Sequence, residues 1–424
     1  MKLVLINSPI QKYSKEYKPE YRTTAPLGLG YLGTIARRNG IETTLIDAEA
    51  EKLTVDETAE KVNNFAPDVV GINMASTNYK LSLEILGKIQ APHKLIGGPH
   101  ATLKGNSLTG NHLIVRGEAE DILLDILQKR NGIVNAGVIE NLDRLPFIDR
   151  TLFVNDPYSI DGKLESAIST TRGCPYSCVF CCVPVINGRK VRARSVKNVV
   201  EEIKELKERG VNSIHFIDDL FNYDRKRLED FCNTLIEQEI NITWKDLSRI
   251  ELLDGALLEK MKESGCYKLA FGLESGTKRI LEYIGKCTDL NKVRNIIKKC
   301  SELGIETKGF FTIGYPDEAE EDIKRTIDFS QELGLTEAYY MVVRAFPGTK
   351  MFKEMRKYFS EEQLEDYYQF NGKGDYIKYH VMNSQSLNGI PNKRLDGYVR
   401  EAYEKFYKGK NGGIRNENLL SLQT

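Results

Sequence analysis

The chain has 424 residues, a length that exceeds one ordinary hydrophobic core and predicts two or three domains. Its 60 basic residues balance 60 acidic ones, so the composition gives no indication of an obligatory nucleic-acid partner. No apolar stretch is long enough for a membrane span, residues 2–7 read as a strand rather than a signal peptide, and the eight cysteines do not resemble a secreted disulfide framework. We therefore expect a soluble cytoplasmic protein.

The first part of the chain alternates short apolar runs with helical patterns. Predicted strands are Lys2–Asn7, Thr43–Ile46, Val69–Met74, Lys94–Ile96 and His112–Val115, and predicted helices are Leu29–Arg38, Val55–Phe65 and Leu81–Ile89. Nearly continuous apolar strands separated by helices are typical of a parallel, doubly wound sheet. We expect an α/β, Rossmann-like domain over residues 1–140, with its ligand at the carboxyl ends of the strands.

Small and polar residues follow these strands. Ser8 comes after the first, residues 73–78 after the third, residues 97–100 after the fourth and residues 116–120 after the fifth. Small residues there would let a large flat ligand approach the backbone. Glycine after a strand is also ordinary turn chemistry, and for any single position that is the commoner interpretation.

Residues 141–161 lose this periodicity and are predicted to be a linker. Beyond it, strands are predicted at Ser166–Thr171, Ser213–Ile217, Thr243–Leu247, Lys268–Leu273, Thr307–Ile313 and Ala338–Val343, and helices at Val196–Arg209, Arg225–Gln238, Ala256–Ser264, Leu290–Leu303 and Glu320–Leu333. Six such units suffice for a partial (β/α)6 barrel over residues 162–350. Function should collect at the carboxyl ends of its strands.

Three cysteines, Cys174, Cys178 and Cys181, follow the first barrel strand with C-x-x-x-C-x-x-C spacing. A [4Fe-4S] cluster normally has four cysteine ligands, so three thiolates would leave one iron open. A zinc site is less favoured, because structural zinc prefers paired knuckles and the nearest downstream histidine is His215. A chance group of buried thiols is the third interpretation. Cys182 fits none of these patterns.

At this loop the sequence resembles the radical S-adenosylmethionine enzymes. The resemblance implies that Cys174, Cys178 and Cys181 hold the cluster, that the open iron chelates the methionine part of S-adenosylmethionine, and that Phe180 lies beside the adenine. It also implies that Asp218 and Asp219 lie near the amino group of that cofactor. The alternative for these two acids is a helix N-cap.

Further strand ends match the same family. Arg249 is expected to pair with a carboxylate and is counted among the residues that bind S-adenosylmethionine, and an ordinary surface salt bridge is an equal alternative. Glu274 and Ser275 resemble the segment that binds the ribose hydroxyls, and Thr312 and Gly314 belong to a stretch that resembles the adenine contact.

Residues 1–140 resemble the cobalamin-binding domain that is fused to many radical S-adenosylmethionine enzymes. The D-x-H-x-x-G signature is absent, since His100 is followed by Ala-Thr-Leu-Lys-Gly. The resemblance thus implies cobalamin with its own base displaced, no histidine on cobalt, and the 73–78 loop over the lower face. A domain that keeps the fold but has lost the cofactor is the alternative. The implied cobalamin-binding residues are Ser8, Pro26, Leu27, Gly28, Met74, Ser76, Thr77, Gly97, Gly98, Pro99, His100, Gly117 and Glu118.

Residues 351–424 are charged and helical in pattern and are expected to form a cap that faces substrate. Their aromatic residues include Tyr358, Tyr367, Tyr368, Phe370, Tyr376 and Tyr379, which could instead simply pack. Residues 411–424 are expected to fray.

The family resemblance implies a cobalamin-dependent enzyme that methylates an unactivated carbon of a small molecule or peptide. The route would use a 5′-deoxyadenosyl radical and methylcobalamin, with electrons from a donor such as flavodoxin or ferredoxin. Cyclisation or rearrangement without methyl transfer is the first alternative. A non-catalytic iron-sulfur or cobalamin-binding protein is the second. No residue is assigned as catalytic.

Overall fold

The computed structural model of the chain describes residues 1–10, 24–108, 110–154, 158–160, 163–368 and 386–408. The chain divides into two compact units. The first contains Met1–Pro175 and Cys182–Val211, and the second contains Tyr176–Cys181, Asn212–Tyr367 and the last helix. The expected frayed end and Phe370, Tyr376 and Tyr379 lie outside the described residues.

The first unit is built on a parallel sheet. Its strands are β1 Lys2–Asn7, β2 Glu42–Asp47, β3 Val69–Asn73, β4 His93–Gly97, β5 Leu113–Gly117 and β6 Gly132–Gly137, in the order β2-β1-β3-β4-β5-β6. Its helices are α1 Leu27–Arg38, α2 Val55–Phe65, α3 Tyr79–Lys88, α4 Pro99–Lys104 and α5 Leu123–Ile126. The order reverses beside β1, which makes a switch point with a crevice at the carboxyl ends of β1 and β3. This confirms the predicted doubly wound domain.

Successive residues of β1 enter two different cores, as the two-residue period of a strand requires. Leu3 and Leu5 pack on one face of the sheet with residues of α1. Val4 and Ile6 pack on the other face with residues of α2 and α3. Burial on both faces explains why the first strand is a continuous apolar run in the sequence.

The rest of the first unit consists of short strands and two helices. These are the antiparallel pair β7 Tyr158–Ile160 and β8 Lys163–Ile168, the antiparallel pair β9 Thr171–Arg172 and β10 Arg192–Ala193, and the helices α6 Val183–Ile186 and α7 Val196–Glu208. Residues 158–160, which the sequence pattern places in a linker, form a strand here.

The second unit contains five parallel strands that neighbour each other in chain order. They are β11 Ser213–Phe216, β12 Thr243–Ser248, β13 Cys266–Glu274, β14 Glu306–Ile313 and β15 Glu337–Val342. Helices between and after them are α8 Arg225–Glu237, α9 Gly255–Glu263, α10 Lys278–Tyr283, α11 Leu290–Glu302, α12 Glu320–Glu332, α13 Lys350–Met355, α14 Glu361–Tyr368 and α15 Asn392–Tyr407. With β8, six strands alternate with helices along the chain, as predicted for a partial barrel. None of the helices in the described ranges is long and apolar enough to cross a bilayer.

A buried aromatic cluster fixes the end of β11. The rings of Phe216 and Phe221 stack with centroids 4.5 Å apart, and both contact Trp244, whose Nε1 donates to the Ser264 carbonyl at 3.0 Å. Such aromatic pairs contribute about 0.5 to 1.5 kcal/mol each beyond their buried area. The loop of residues 217–220 is therefore held between two anchored rings.

Buried ion pairs join β10 to the end of β5 within the first unit. Arg192 makes a bidentate pair with Glu118, with Nη2 at 2.5 Å from Oε1 and Nη1 at 2.8 Å from Oε2. Arg172 lies 3.2 Å from Glu118 and 2.7 Å from Glu120. Burial raises the pKa of Glu118, but the hydrogen bond from Arg192 and the charge of Arg172 outweigh it, so the pKa is lowered overall. The stabilisation is complete above the ordinary pKa of a glutamate and is lost as the pH falls through the lowered value.

We expect Glu118→Gln to destabilise the apoprotein by about 3 kcal/mol, because it leaves the Arg192 guanidinium buried without its counter-charge. Urea denaturation at neutral pH measures this as a lower midpoint. Glu140→Gln is the matched control, since Glu140 pairs with Lys190 on the surface, where both side chains are mostly exposed. Equal effects of the two substitutions would contradict the prediction.

Candidate functional site

The strand β13 ends in an irregular turn that aims Glu274. The register between β13 and β14 shifts between Gly272 and Glu274, which marks a bulge. Glu274 itself has a φ of +65°, a left-handed conformation that is costly for a residue with a side chain. The surrounding structure therefore imposes this turn, as is common at ligand-binding sites.

Glu274 is buried and compensated on both oxygens. Lys286 Nζ lies 3.1 Å from Oε1, and Thr312 Oγ1 donates to Oε2 at 3.0 Å. Lys286 also donates to the Gly272 carbonyl at 2.6 Å. A carboxylate has about four acceptor sites, so it can still accept from a diol. The structure thus brings together Glu274 and Thr312, two residues predicted to bind S-adenosylmethionine, and adds Lys286.

Gly272 makes room for this pair. A Cβ at this position would lie 2.6 Å from Glu274 Oε1 and 2.7 Å from Lys286 Nζ. Any larger residue therefore displaces the two charged groups, although both are the flexible ends of side chains.

Two other predicted residues support neighbouring turns. The hydroxyl of the buried Ser275 lies 3.1 Å from Thr326 Oγ1 and 3.2 Å from Thr277 Oγ1, so it ties the turn between β13 and α10 to α12. Gly314 has a φ of +87°, and its N–H donates to Glu318, which also accepts from Tyr315 N–H at 3.1 Å. Burial raises the pKa of Glu318 to about 8. Sequence reasoning missed Glu318. The assignments of Ser275 to ribose and Gly314 to adenine stay predictions.

The cysteine loop is tied through one residue to the end of α10 and to the first turn of α13. Val179 N–H donates to the Ile284 carbonyl at 3.1 Å, and the Val179 carbonyl accepts from Met351 N–H at 2.9 Å. The ring of Phe180 lies 6.0 Å from the ring of Tyr315, in the turn predicted to contact adenine. The two hydrogen bonds hold the loop against α10 and α13 of the second unit.

The thiols of this loop are half-buried and none of the described cysteines is disulfide-bonded. Cys178 and Cys181 belong to the second unit, where Cys181 N–H donates to the Cys178 carbonyl at 3.1 Å, and Cys174 belongs to the first. In the described ranges no three His, Cys, Asp or Glu side chains are arranged as a metal site. The cluster ligands therefore remain a prediction from spacing.

Arg249 contacts this loop. Its guanidinium carbon lies 3.6 Å from the ring centroid of Tyr176, its Nη1 donates to Cys178 Sγ at 3.8 Å, and its Nη2 lies 3.2 Å from Glu251. The side chain is only 13% exposed, so the surface-salt-bridge interpretation is wrong. Its carboxylate neighbour in the structure is Glu251, and binding of S-adenosylmethionine by Arg249 stays a prediction.

Asp218 and Asp219 lie half-buried in the loop after β11. They do not cap α8, because Asp224 is its N-cap and accepts from Arg227 N–H at 2.9 Å. The N-cap alternative is therefore wrong. Asp246 lies close to Asp218, and its pKa is raised to about 7 chiefly by burial and also by the charge of Asp218. Binding of the cofactor amino group by these acids stays a prediction.

In the first unit, the loops after β3 and β4 pack against each other. Met74 N–H donates to the Gly97 carbonyl and His100 N–H donates to the Met74 carbonyl, both at 2.9 Å. Gly98 has a φ of +94°, and a Cβ there would lie 2.2 Å from Asn73 Oδ1. At Gly28 and Gly97 a Cβ would meet no atom within 4 Å, so the backbone faces open space at both glycines. This geometry fits the close approach of a large planar cofactor.

The His100 side chain is buried among protein groups. Its ring stacks on Tyr79 at 4.4 Å, its Nδ1 lies 3.0 Å from Ser76 Oγ, and it is 2% exposed. Burial and the charge of Lys104 lower the pKa of His100 to about 4, so the ring is neutral at pH 7. These contacts agree with the predicted absence of a histidine on cobalt, which stays a prediction.

The remaining residues predicted to bind cobalamin divide into buried and accessible groups. Ser8 is buried, accepting from Ser82 Oγ at 2.8 Å, and Glu118 is engaged by Arg192. A Cβ at position 117 would lie 2.5 Å from the Gly137 carbonyl oxygen, so the glycine there allows β5 and β6 to approach each other. The residues that are at least partly accessible are Pro26, Gly28, Thr77, Gly97, Gly98 and Pro99, whereas Leu27 and Met74 are buried. A role in cobalamin binding stays a prediction for each.

The C-terminal region packs against β15 and also lines part of a cavity. Tyr403 and Tyr407 of α15 lie against β15, with the Tyr407 hydroxyl 3.2 Å from the amide nitrogen of Ala338. A cavity of about 880 Å³ lies beside the turn after β14, lined in part by Pro316, Asp317 and Tyr358. Contact with substrate stays a prediction for this region.

Comparisons with known proteins agree with this geometry. The radical SAM superfamily model matches residues 168–330, and the B12 binding domain model matches residues 21–127. The uncharacterised methyltransferase PH0819 of Pyrococcus horikoshii is 32% identical over 383 residues, which cover 83% of each chain. The chain belongs to the radical SAM enzymes that carry a B12-binding domain. The predicted family is confirmed.

Other relatives of this radical SAM enzyme are named for different activities. The cytidylyl-2-hydroxyethylphosphonate methyltransferase of Streptomyces wedmorensis is 26% identical over 78% of each chain. The anaerobic magnesium-protoporphyrin IX monomethyl ester cyclase of Cereibacter sphaeroides is 24% identical over 93% of this chain and 70% of the relative.

Solved structures support the fold of the radical SAM enzyme. The methyltransferase TsrM from Kitasatospora setae aligns with a TM-score of 0.64 and 18% identity over 84% of this chain and 74% of its own. The cobalamin-dependent enzyme OxsB aligns with a TM-score of 0.63 and 17% identity over 98% of this chain and 63% of its own. The predicted fold class is confirmed. The matched domains also carry the predicted cofactors, a [4Fe-4S] cluster and S-adenosyl-L-methionine in one and cobalamin in the other.

We expect Gly272→Ala to lower the affinity for S-adenosylmethionine by roughly tenfold, because the new Cβ displaces Glu274 and Lys286 and a charge-assisted hydrogen bond contributes about 1.5 to 3 kcal/mol. Anaerobic equilibrium dialysis with labelled S-adenosylmethionine measures the change. Gly87→Ala is the control, since a Cβ there meets no atom within 4 Å. Unchanged affinity in the Gly272 variant, with the cluster intact, would place the nucleoside elsewhere.

Proposed function

We propose that the protein is a cobalamin-dependent radical S-adenosylmethionine methyltransferase that acts on an unactivated carbon of a small-molecule or peptide substrate. The observation that carries the proposal is the fusion of a B12-binding domain to a radical SAM domain in a chain that is 32% identical to a methyltransferase over most of its length. We further propose that it works in the cytoplasm and receives electrons from a donor such as flavodoxin or ferredoxin.

When bound, the cofactors supply hydrogen abstraction from carbon and a methyl group to replace that hydrogen. The chain's own residues bind and orient them. Cys174, Cys178 and Cys181 would hold three irons and leave the fourth open. Glu274 would accept from the ribose hydroxyls while Lys286 and Thr312 hold its carboxylate in place.

In the first unit, the accessible backbone at Gly28 and Gly97 would face the corrin ring. The loop of residues 73–78 would cover its lower face, with His100 held away from cobalt by Tyr79 and Ser76. The protein would thus supply shape and shielding on that side rather than a metal ligand.

The second candidate function is cyclisation or rearrangement without methyl transfer. A specific observation supports it, namely 24% identity over 93% of this chain to an anaerobic magnesium-protoporphyrin ester cyclase. The greater identity to PH0819 favours methyl transfer.

Replacing any one of Cys174, Cys178 or Cys181 by Ala should abolish the cluster, because each thiolate holds one iron of the cubane. Anaerobically reconstituted wild-type protein should contain about four irons per chain and show broad visible absorption. The neighbouring Cys182→Ala is the matched control and should retain both signals. A requirement for Cys182, with one of the other three dispensable, would overturn the assignment.

Methyl-labelled S-adenosylmethionine tests the methyl transfer itself. With the substrate and bound cobalamin, label should enter the product while 5′-deoxyadenosine and S-adenosylhomocysteine form in comparable amounts, since one molecule is cleaved and another donates methyl. Mass analysis of the products measures all three. Release of 5′-deoxyadenosine without S-adenosylhomocysteine and without labelled product would favour the second candidate.

A further inference from the structure

The surroundings of Arg249 exceed what a simple ion pair requires. Its guanidinium has three neighbours in the second unit, since it lies over the ring of Tyr176, donates to Cys178 Sγ and pairs with Glu251. Its Nε is buried and has no hydrogen-bond partner among the described residues. Two of the three neighbours belong to the cysteine loop, and Cys178 is one of the proposed cluster ligands.

The backbone of Arg249 is fixed before its side chain reaches the loop. The side chain of Asn222 accepts from Arg249 N–H at 3.0 Å and donates to the Arg249 carbonyl at 2.8 Å. Glu251 is held in turn, because the Thr288 hydroxyl donates to its carboxylate and Lys292 Nζ donates to its carbonyl at 2.6 Å. The guanidinium is therefore preorganised and does not depend on a ligand for its position.

We propose that Arg249 is a positioning residue for the iron-sulfur cluster, which donates a hydrogen bond to the Cys178 thiolate and raises the reduction potential of the cluster. Arginine is always protonated in proteins, so its charge is permanent. One-electron reduction adds a negative charge to the cluster, and a nearby cation and a sulfur hydrogen bond both stabilise that reduced form. Partial burial strengthens the effect relative to water. The inference rests on the cysteine assignment in the proposed function.

This role differs from the pairing of Arg249 with a carboxylate of S-adenosylmethionine. A residue that served only the cofactor would change its affinity and leave the potential of the cofactor-free cluster unchanged. The Nη1 contact with Cys178 joins two protein groups, so its effect on the potential should also appear without S-adenosylmethionine.

The test is a redox titration of anaerobically reconstituted full-length protein without S-adenosylmethionine, with dithionite as the one-electron reductant and the paramagnetic signal of the reduced cluster as the readout. In Arg249→Gln the ratio of reduced to oxidised cluster at a fixed solution potential should fall about tenfold, a downward shift of about 59 mV for a one-electron couple. Arg249→Lys keeps the charge but lacks the planar donor fork, so its potential should lie between the two.

Arg294→Gln is the matched control. Arg294 lies over the ring of Phe329 at 5.0 Å and pairs with Glu332 at 3.1 Å, so it makes the same kinds of contact without a cysteine. Its substitution should leave the potential at the wild-type value, and all variants should retain their iron content.

Equal potentials in wild-type protein and Arg249→Gln would overturn the proposal, whatever happens to cofactor affinity. If Arg249→Gln does not retain a cluster, Arg249→Lys decides, and a wild-type potential there overturns the proposal. A product without methyl label would refute the proposed function and leave this measurement unaffected. Retention of the cluster in Cys178→Ala would instead refute the ligand assignment on which the inference depends.

Discussion

A charged side chain that leaves water costs several kcal/mol unless partners compensate it, and the turns at the ligand ends of both sheets depend on such compensation. At the end of β13, Glu274 is compensated by Lys286 and Thr312. At the end of β5, Glu118 is compensated by Arg192. In both places the charges also restrict the path of the backbone, because a carboxylate with a hydrogen-bond partner on each oxygen has one favourable geometry.

The consequences for the proposed chemistry differ between the two units. In the second unit the compensated carboxylate of Glu274 still has acceptor capacity for hydroxyl donors, so the same group can be both a structural anchor and a cofactor contact. In the first unit the side chains of Glu118, Ser8 and His100 are buried and bonded to other protein groups. The backbone at Gly28 and Gly97 faces open space. The protein would thus recognise the nucleoside through charge and hydrogen bonds, and it would recognise the corrin ring through shape.

Much of the fold could be predicted from the sequence, because strands such as β1 are buried on both faces and appear as continuous apolar runs. β6 was not predicted because it lies at an edge, has only exposed and half-buried residues, and contains no such run. The site could be predicted only in part. Glu274 follows a strand and is conspicuous, but Lys286 reaches it from twelve positions away and Arg249 reaches Cys178 from 71 positions away. Contacts of that separation depend on tertiary structure and leave no local pattern.

The attachment of the cysteine loop has a consequence for sequence variation. Val179 is held by its own N–H and carbonyl groups, bonded to Ile284 and Met351, so these two attachments of the loop use main-chain atoms. The side chains at these three positions could therefore be substituted, within the limits of packing, without loss of these two hydrogen bonds. Proline is the exception at positions 179 and 351, because each must supply an N–H. Two attachments of the loop that is proposed to hold the iron-sulfur cluster thus depend on main-chain atoms, which substitution of a side chain does not remove.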